Sequence, residues 1–389
     1  MSSNAQQHTL VITNDYPPRP GGIQTFIYEM VKRFPADQVT VLTSHYNEAE
    51  NFDASNAWRV VRSKAKTLFL SRKNRNLVKE LIAQTGATRV VFGAAAPLGL
   101  MARSLRNCGV EQIVAISHGH EVGWASTPGT NLAIKAIVRN SNWFTYLGSY
   151  TLTGIRRAAS NADVDKFRQL TPGVDTESFN PNRQPNGQAI RHSIGYSHRA
   201  VIVCVARLMP RKGQDRLIES LRLIQKRVPH AALLIVGSGP YESKLKKLAV
   251  SCGVEEDVYF TGKVPQEHLP LWYAAGDVFA MPCRTRNRGW DVEGLGIVFL
   301  EASATGLAVV AGNSGGAPDA VLDGETGLVV DGNSLADISN ALIGLLSDPD
   351  RATAMGQAGR LWVEQAWTWD HSYERLNAML SGLDPDAAL

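Results

Sequence analysis

Two glutamates, Glu293 and Glu301, stand eight residues apart in the stretch "DVEGLGIVFLEASATG" (291–306), around Gly294 and Gly296 and at the start of an apolar run. Carboxylates accept hydrogen bonds from the hydroxyls of a vicinal diol, the group carried by ribose and hexoses. The apolar run predicts a helix from about Ile297 through Ala304. The two glycines leave its first N–H groups, those of Ile297 and Val298, open to a phosphate. Two acids and a phosphate cradle on one element describe a nucleotide sugar. The plainer reading is a capped helix, with Glu293 favouring its dipole and Glu301 on a wet face. That reading does not explain a charge inside "IVFLEASATG", which is otherwise uncharged.

Two further clusters carry suitable chemistry. In "ARLMPRKGQDRLIESL" (206–221), Arg207 and Lys212 lie on the loop between a strand and a helix. A fork-shaped guanidinium and a flexible ammonium together suit a diphosphate. A solvated basic loop is commoner for any random pair, and the position at a strand's carboxyl end favours binding. In "DYPPRPGGIQTFIYEMVKRF", Gly21 and Gly22 open a helix whose Ile23, Phe26, Ile27, Met30, Val31 and Phe34 form a buried stripe. Gly22 either lets an anion approach the backbone or merely serves a turn, and the sequence alone favours neither.

These residues sit on a repeated pattern. Strand-length runs rich in Val and Ile occur at 9–14, 39–44, 89–93, 112–117 and 143–148, and again at 200–208, 231–237, 258–262, 278–282 and 307–312. Near-continuous apolar strands alternating with helical patterns predict an α/β chain with parallel sheets covered on both faces. The pattern runs through twice, with a Pro-, Asn- and Gly-rich break at 169–187. Two doubly wound domains are therefore expected, 1–171 and 172–367, with 368–389 as a C-terminal segment. In that segment Trp369, Tyr373, Leu376 and Leu380 share one helical stripe. The length of 389 residues agrees with two domains. In such sheets ligands sit beyond the carboxyl ends of the strands, where the residues above fall.

Taken together, Glu293-Gly-Leu-Gly-(four residues)-Glu301, "PPRPGGIQTF", "ARLMPRKGQDRLI", "IVGSGP" and "FTGKVPQEHLPLWYAAGDVFAMP", in that family's order, resemble the retaining glycosyltransferases with two facing Rossmann-like domains (GT-B, family 4) and their E-x7-E signature. The texture is most similar to the GDP-mannose-dependent enzymes that mannosylate phosphatidylinositol monomannoside. The resemblance implies an interdomain cleft and a final segment that crosses back to the first domain. It implies that Arg207 and Lys212 neutralise the donor diphosphate, with Gly22 approaching the same group. Glu293 would hold sugar hydroxyls and Glu301 the ribose diol, beside Gly294, Gly296, Ile297 and Val298. Lys263 and Val264 would meet the base. His118, in "AISHGHEV", would face the transferred sugar, with His120 as its rival; a lone histidine is more often structural. Ala206 departs from the family, which often has glycine there, and "RTRNRGWDVEG" (284–294) is unusually basic. That leaves Arg284, Arg286 and Arg288 between acceptor and solvent.

Transfer from a nucleotide sugar needs fixed positive charge for the departing diphosphate. Arg207, Lys212 and the helix amides supply it, and no Asp-x-Asp ends an apolar strand, so no metal or other cofactor is expected. No first-domain carboxylate stands out as a nucleophile, which favours same-face displacement over a covalent intermediate.

The net charge of +4 conceals an asymmetry: 20 Lys+Arg against 11 Asp+Glu up to Gly173, and 20 against 25 beyond it. In "VRSKAKTLFLSRKNRNLVKELI" (61–82), Arg62, Lys64, Lys66, Arg72, Lys73, Arg75 and Lys79 surround Leu68, Phe69 and Leu70. Such a mixture suits an anionic lipid surface, at about 1 kcal/mol per basic residue. Charge runs are more usually a solvated face, and no nucleic-acid motif accompanies this one. Tyr16 joins the first six basic residues as an expected acceptor or membrane contact.

The expected function is mannose transfer from GDP-mannose to an anionic phosphoinositide-type lipid, at the cytoplasmic face of the plasma membrane. No span or export signal is visible, and Cys108, Cys204, Cys252 and Cys283 have no metal-ligand spacing. The alternatives are a related transferase using UDP- or ADP-glucose with a soluble acceptor, and a non-enzymatic two-lobed sugar-binding protein. A nicotinamide dehydrogenase would need GxGxxG after the first strand, which "PPRPGG" lacks.

Overall fold

The structure, a computed structural model, describes residues 7–387; the side chain of Arg288 lies outside the description. The chain forms two compact units, Met1–Gly173 with Trp369–Leu389, and Val174–Thr368.

The first unit is built on seven parallel strands: β1 Thr9–Ile12, β2 Val39–Thr43, β3 Arg59–Arg62, β4 Arg89–Phe92, β5 Gln112–Ala115, β6 Trp143–Tyr146 and β7 Phe167–Gln169. Their order is β3-β2-β1-β4-β5-β6-β7, with Leu10 of β1 level with Thr40 of β2 and Val90 of β4. Successive side chains leave a strand on opposite faces, and here both faces are covered. Val11, Val41, Val91 and Val114 pack with Phe26, Ile27 and Met30 of the helix Gly22–Val31. Leu10, Ile12, Leu42 and Phe92 pack with Val78, Leu81 and Ile82 of the helix Arg72–Thr85.

The C-terminal helix Trp369–Leu380 belongs to this unit and inserts Leu376, Met379 and Leu380 into the first of those layers. Tyr373 meets Phe34 edge-on at 5.0 Å, and the Trp143 indole N–H donates to the Met379 carbonyl at 3.0 Å. The stripe read from the sequence is the face that packs here, with Trp369 and Tyr373 at its half-buried rim.

The second unit holds six parallel strands: β8 Ala200–Val205, β9 Ala231–Val236, β10 Val258–Phe260, β11 Val278–Met281, β12 Ala308–Gly312 and β13 Gly327–Val330. Their order is β10-β9-β8-β11-β12-β13. Both sheets run outward from their first strand in one direction and then reverse. The reversal opens a crevice beyond the carboxyl ends of β1 and β4 in one unit, and of β8 and β11 in the other. In the second unit, the loops leaving β8 and β11 touch at that point. Gly213 has φ +81°, and a Cβ there would lie 2.1 Å from the Pro282 carbonyl oxygen.

Three strands have no counterpart in the sequence reading: β3, β7 and β13. Each is a sheet edge of three or four residues. An edge strand buries less than a central one, so its apolar run is short and, in β3, is bracketed by Arg59 and Arg62.

Candidate active site

In the second unit the residues singled out by type gather along the carboxyl edge of the sheet. The helix Ile297–Ala304 begins where the sequence placed it, after Gly296 at φ +82°, a conformation that favours glycine. The N–H groups of Ile297 and Val298 find no acceptor among the described residues. The chain before the helix is held by a turn that sequence reading missed. Gly316 N–H donates to the Glu293 carbonyl at 2.9 Å, and Glu293 N–H to the Ser314 hydroxyl at 3.3 Å. The signal was "NSGG" directly after β12, another small-residue turn at a strand's carboxyl end.

Glu293 is 6% exposed, and its Oε2 lies 2.6 Å from Lys212 Nζ. Arg211 Nε stands 3.8 Å from the same oxygen, and Arg211 Nη1 3.4 Å from Asp291. With Arg286, which also approaches Asp291, two acids and three bases gather at the loop tips. Arg207 differs: it is exposed and has no side-chain partner among the described residues. The residues on either side of it are anchored, Ala206 N–H on Val236 and Leu208 N–H on Ser238. The guanidinium therefore projects from a fixed backbone.

Glu301 keeps partial exposure, and its Oε2 accepts a 2.6 Å hydrogen bond from the Tyr273 hydroxyl. Burial pushes the Glu301 carboxyl up from its ordinary value and the Tyr273 bond pulls it down, with burial the larger effect. Lys263 is exposed and Val264 half-buried beyond β10. There Gly237 N–H donates to the Gly262 carbonyl and ties the "IVGSGP" turn to that loop. Gly294 has open space where a Cβ would sit.

Arg284 needs a correction. Expected between acceptor and solvent, it is buried, and both its terminal nitrogens donate to Asp215, at 2.9 and 2.6 Å. The planar fork matches a carboxylate at the start of the neighbouring helix Gln214–Gln225, and the loop after β11 is locked to it. Arg286 is half-buried, 3.6 Å from Asp291. Arg288 lies outside the described side chains.

In the first unit, His118 follows β5 at the carboxyl edge and its Nε2 is 2.6 Å from the Gly93 carbonyl. A carbonyl only accepts, so Nε2 carries the proton. Burial lowers the His118 pKa, so near neutral pH the ring is uncharged and Nδ1 is a bare acceptor. Glu121, fully buried, fixes the turn by accepting from Ser117 Oγ and His118 N–H, both at 3.1 Å. His120 is exposed, 3.3 Å from Glu121 Oε1. Gly22 opens its helix with free space where a Cβ would sit.

The basic segment divides. Lys64, Lys66, Arg72, Lys73 and Arg75 are exposed, as is Phe69. Arg62 is corrected: both of its donating edges are taken, Nε and Nη2 by Asp53 at 2.6 and 2.8 Å, Nη1 by the Ser44 carbonyl and Nη2 also by Pro17. Tyr16 is also corrected. It is 1% exposed, its hydroxyl accepts from Trp58 Nε1 at 2.9 Å, and Tyr28 and Phe52 pack around it. Leu68 is buried, and so cannot meet a lipid surface.

Among the described residues, no group of three or more His, Cys, Asp or Glu side chains is placed to hold a metal ion. No helix among them is long and apolar enough to cross a membrane.

Residues 189–362 match the family Glycosyl transferases group 1, and with its near-full-length relatives the chain belongs to that family of glycosyltransferases. Among those relatives is the GDP-mannose-dependent alpha-(1-6)-phosphatidylinositol monomannoside mannosyltransferase of Mycolicibacterium smegmatis. It is 45% identical over 381 residues, 96% of this chain and 98% of the relative. The GDP-mannose-dependent monoacylated alpha-(1-6)-phosphatidylinositol monomannoside mannosyltransferase of Corynebacterium glutamicum is 41% identical over 380 residues, 97% and 98% of the two chains. Two solved structures share the fold. Anabaena HepE in complex with UDP has a TM-score of 0.79 at 18% identity, covering 97% of this chain and 100% of its own. Sucrose-phosphate synthase from Thermosynechococcus elongatus has 0.76 at 21%, covering 98% and 100%. The fold is GT-B, two units each built on a parallel Rossmann-like sheet.

Proposed function

We propose that this glycosyltransferase moves mannose from GDP-mannose to a phosphatidylinositol mannoside, with retention of configuration and without a metal. The Lys212–Glu293 contact carries the reading. It sets an ammonium and a carboxylate 2.6 Å apart at the carboxyl edge of the sheet, on the loops that flank a helix start with free N–H groups. Lys212, Arg207 and the N–H groups of Ile297 and Val298 take the diphosphate. Glu293 takes hydroxyls of the sugar, Glu301 the ribose diol, and the loop at Lys263 and Val264 the base. As the sugar–phosphate bond lengthens, negative charge grows on the leaving diphosphate, and preorganised cations stabilise it. In the first unit, bare Nδ1 of His118 is an acceptor for a sugar hydroxyl.

The choice of GDP-mannose and of a phosphatidylinositol-type acceptor is supported by the relatives at 45% and 41% identity. Retention on the same face, with the leaving oxygen accepting the acceptor's proton, is supported by the resemblance to the E-x7-E enzymes. Contact with the cytoplasmic leaflet is supported by the exposed set Lys64, Lys66, Phe69, Arg72, Lys73 and Arg75.

A nucleotide-sugar panel tests the donor. GDP-mannose at 100 times its dissociation constant stabilises the protein by about 2.7 kcal/mol, and UDP-glucose or ADP-glucose at the same concentration gives no shift. Mass spectrometry of lipid extracts incubated with the protein and GDP-mannose then shows the phosphatidylinositol mannoside gaining one hexose. Stabilisation by ADP-glucose alone, with no lipid product, would sink the proposal.

A further inference from the structure

Tyr273 contributes nothing to the chemistry described so far, yet it is the one side chain among the described residues that holds Glu301. It ends the short helix Leu269–Tyr273 and is completely buried. Its ring is fixed on two sides, stacked on Phe279 with centroids 5.7 Å apart and met edge-on by Phe179 at 5.6 Å. A hydroxyl in such surroundings needs an acceptor, and its acceptor is Glu301 Oε2 at 2.6 Å, the short length of a charge-assisted bond. Glu301 Oε1 has no partner among the described residues.

A glutamate carboxylate turns readily about its last torsion, which has broad wells and two-fold symmetry. Anchoring one oxygen removes that freedom and leaves the other aimed in one direction. We infer that Tyr273 is a positioning residue for nucleoside recognition: it clamps Oε2 of Glu301 so that Oε1 is presented, already oriented, to the ribose diol of the donor. The inference rests on Glu301 being the ribose ligand. Burial of Tyr273 raises its own pKa, so it remains a donor throughout the working range of pH, and its bond opposes the burial that would protonate Glu301. The clamp therefore fixes the carboxylate's direction, while burial remains the larger influence on its charge state.

The test compares GDP with 2′,3′-dideoxy-GDP, binding measured by calorimetry on the full chain, so that neither the sugar nor the acceptor enters. The wild-type protein prefers GDP by roughly 10- to 100-fold, the range for hydrogen bonds to a charged group. In Tyr273→Phe, GDP weakens by about tenfold while dideoxy-GDP stays within about twofold. A merely structural tyrosine would weaken both ligands alike, and that result overturns the inference. Glu301→Gln separates the two layers. If it leaves the GDP preference intact, the ribose reading of Glu301 fails; if it abolishes the preference and Tyr273→Phe does not reduce it, only the clamp fails. Should Tyr273→Phe not fold, 3-fluorotyrosine placed at position 273 reports instead. Its fluorine resonance shifts on adding GDP and not on adding dideoxy-GDP, and equal shifts with both would overturn the clamp.

Discussion

The two units use charge in opposite ways. In the second unit, Arg207 apart, most of the polar groups singled out at the sheet's carboxyl edge are paired and largely withdrawn from water: Lys212 with Glu293, Arg284 with Asp215, Tyr273 with Glu301. In the first unit, Lys64, Lys66, Arg72, Lys73 and Arg75 stand in solvent. A withdrawn pair has one geometry, so it can select a ligand by shape. A solvated row attracts any anionic surface and selects by charge density. The difference teaches that charge on a strand-end loop and charge along a helix or a surface loop are separate kinds of signal.

The strongest way to break the contrast is at Lys212. Removing it leaves Glu293, at 6% exposure, with the more distant Arg211 Nε at 3.8 Å as its remaining cation among the described residues, and breaking a buried pair costs up to about 3–5 kcal/mol of stability. Lys212→Ala therefore lowers the melting temperature as well as activity, the latter by about 10²- to 10³-fold, as for loss of one transition-state donor. Lys212→Met combined with Glu293→Gln regains most of the stability and none of the activity. If the double variant regained activity, the pair would be structural only.

The first unit gives the converse. Arg62 reads as one of the basic row, yet it bonds Asp53 twice as well as two carbonyls. Arg62→Ala costs about 1.5–3 kcal/mol in chemical denaturation. Changing Lys64, Lys66, Arg72 and Lys73 to Gln leaves stability within about 0.5 kcal/mol. The same four changes weaken binding to phosphatidylinositol-containing vesicles by up to about 1 kcal/mol each. Equal destabilisation by both variants would erase the distinction between anchored and solvated charge. Tyr16→Phe is milder still. It strips the Trp58 indole of its acceptor in a buried site, costing about 1 kcal/mol, and at 1% exposure leaves the acceptor's KM unchanged.

What was legible in the sequence follows the same line. Central strands announce themselves because burial on both faces makes them continuously apolar; β3, β7 and β13 lie at edges and do not, and of the four edge strands only β10 kept a readable run. The helix from Ile297 to Ala304 was readable because two glycines and an apolar run fix its start. Partners were not readable. No local spacing says that Tyr273 meets Glu301 across 28 residues, or that Asp215 meets Arg284 across 69. Nor does composition tell Arg62 from Lys64: Asp53, nine residues back on a separate helix, decides it.

The smallest effect comes where the C-terminal segment is tied to the first unit. Arg168 donates to both oxygens of Asp384, each at 2.6 Å, and holds its carboxyl down to about 2 from the ordinary 3.8. A carboxyl with a depressed folded pKa stabilises fully above its unfolded value and loses that contribution as pH falls through the folded one. The window is therefore between about pH 4 and pH 2. The Asp384 side chain is 36% exposed, so solvent screens the pair and the contribution is well under 1 kcal/mol. Asp384→Asn has a slightly shallower loss of stability across that window and is unaltered in slope at pH 6 to 8. An unchanged acid slope would mean that the segment is held by its other ties: the Leu376, Met379 and Leu380 anchor, the Trp143–Met379 hydrogen bond and the Arg33–Asp370 pair.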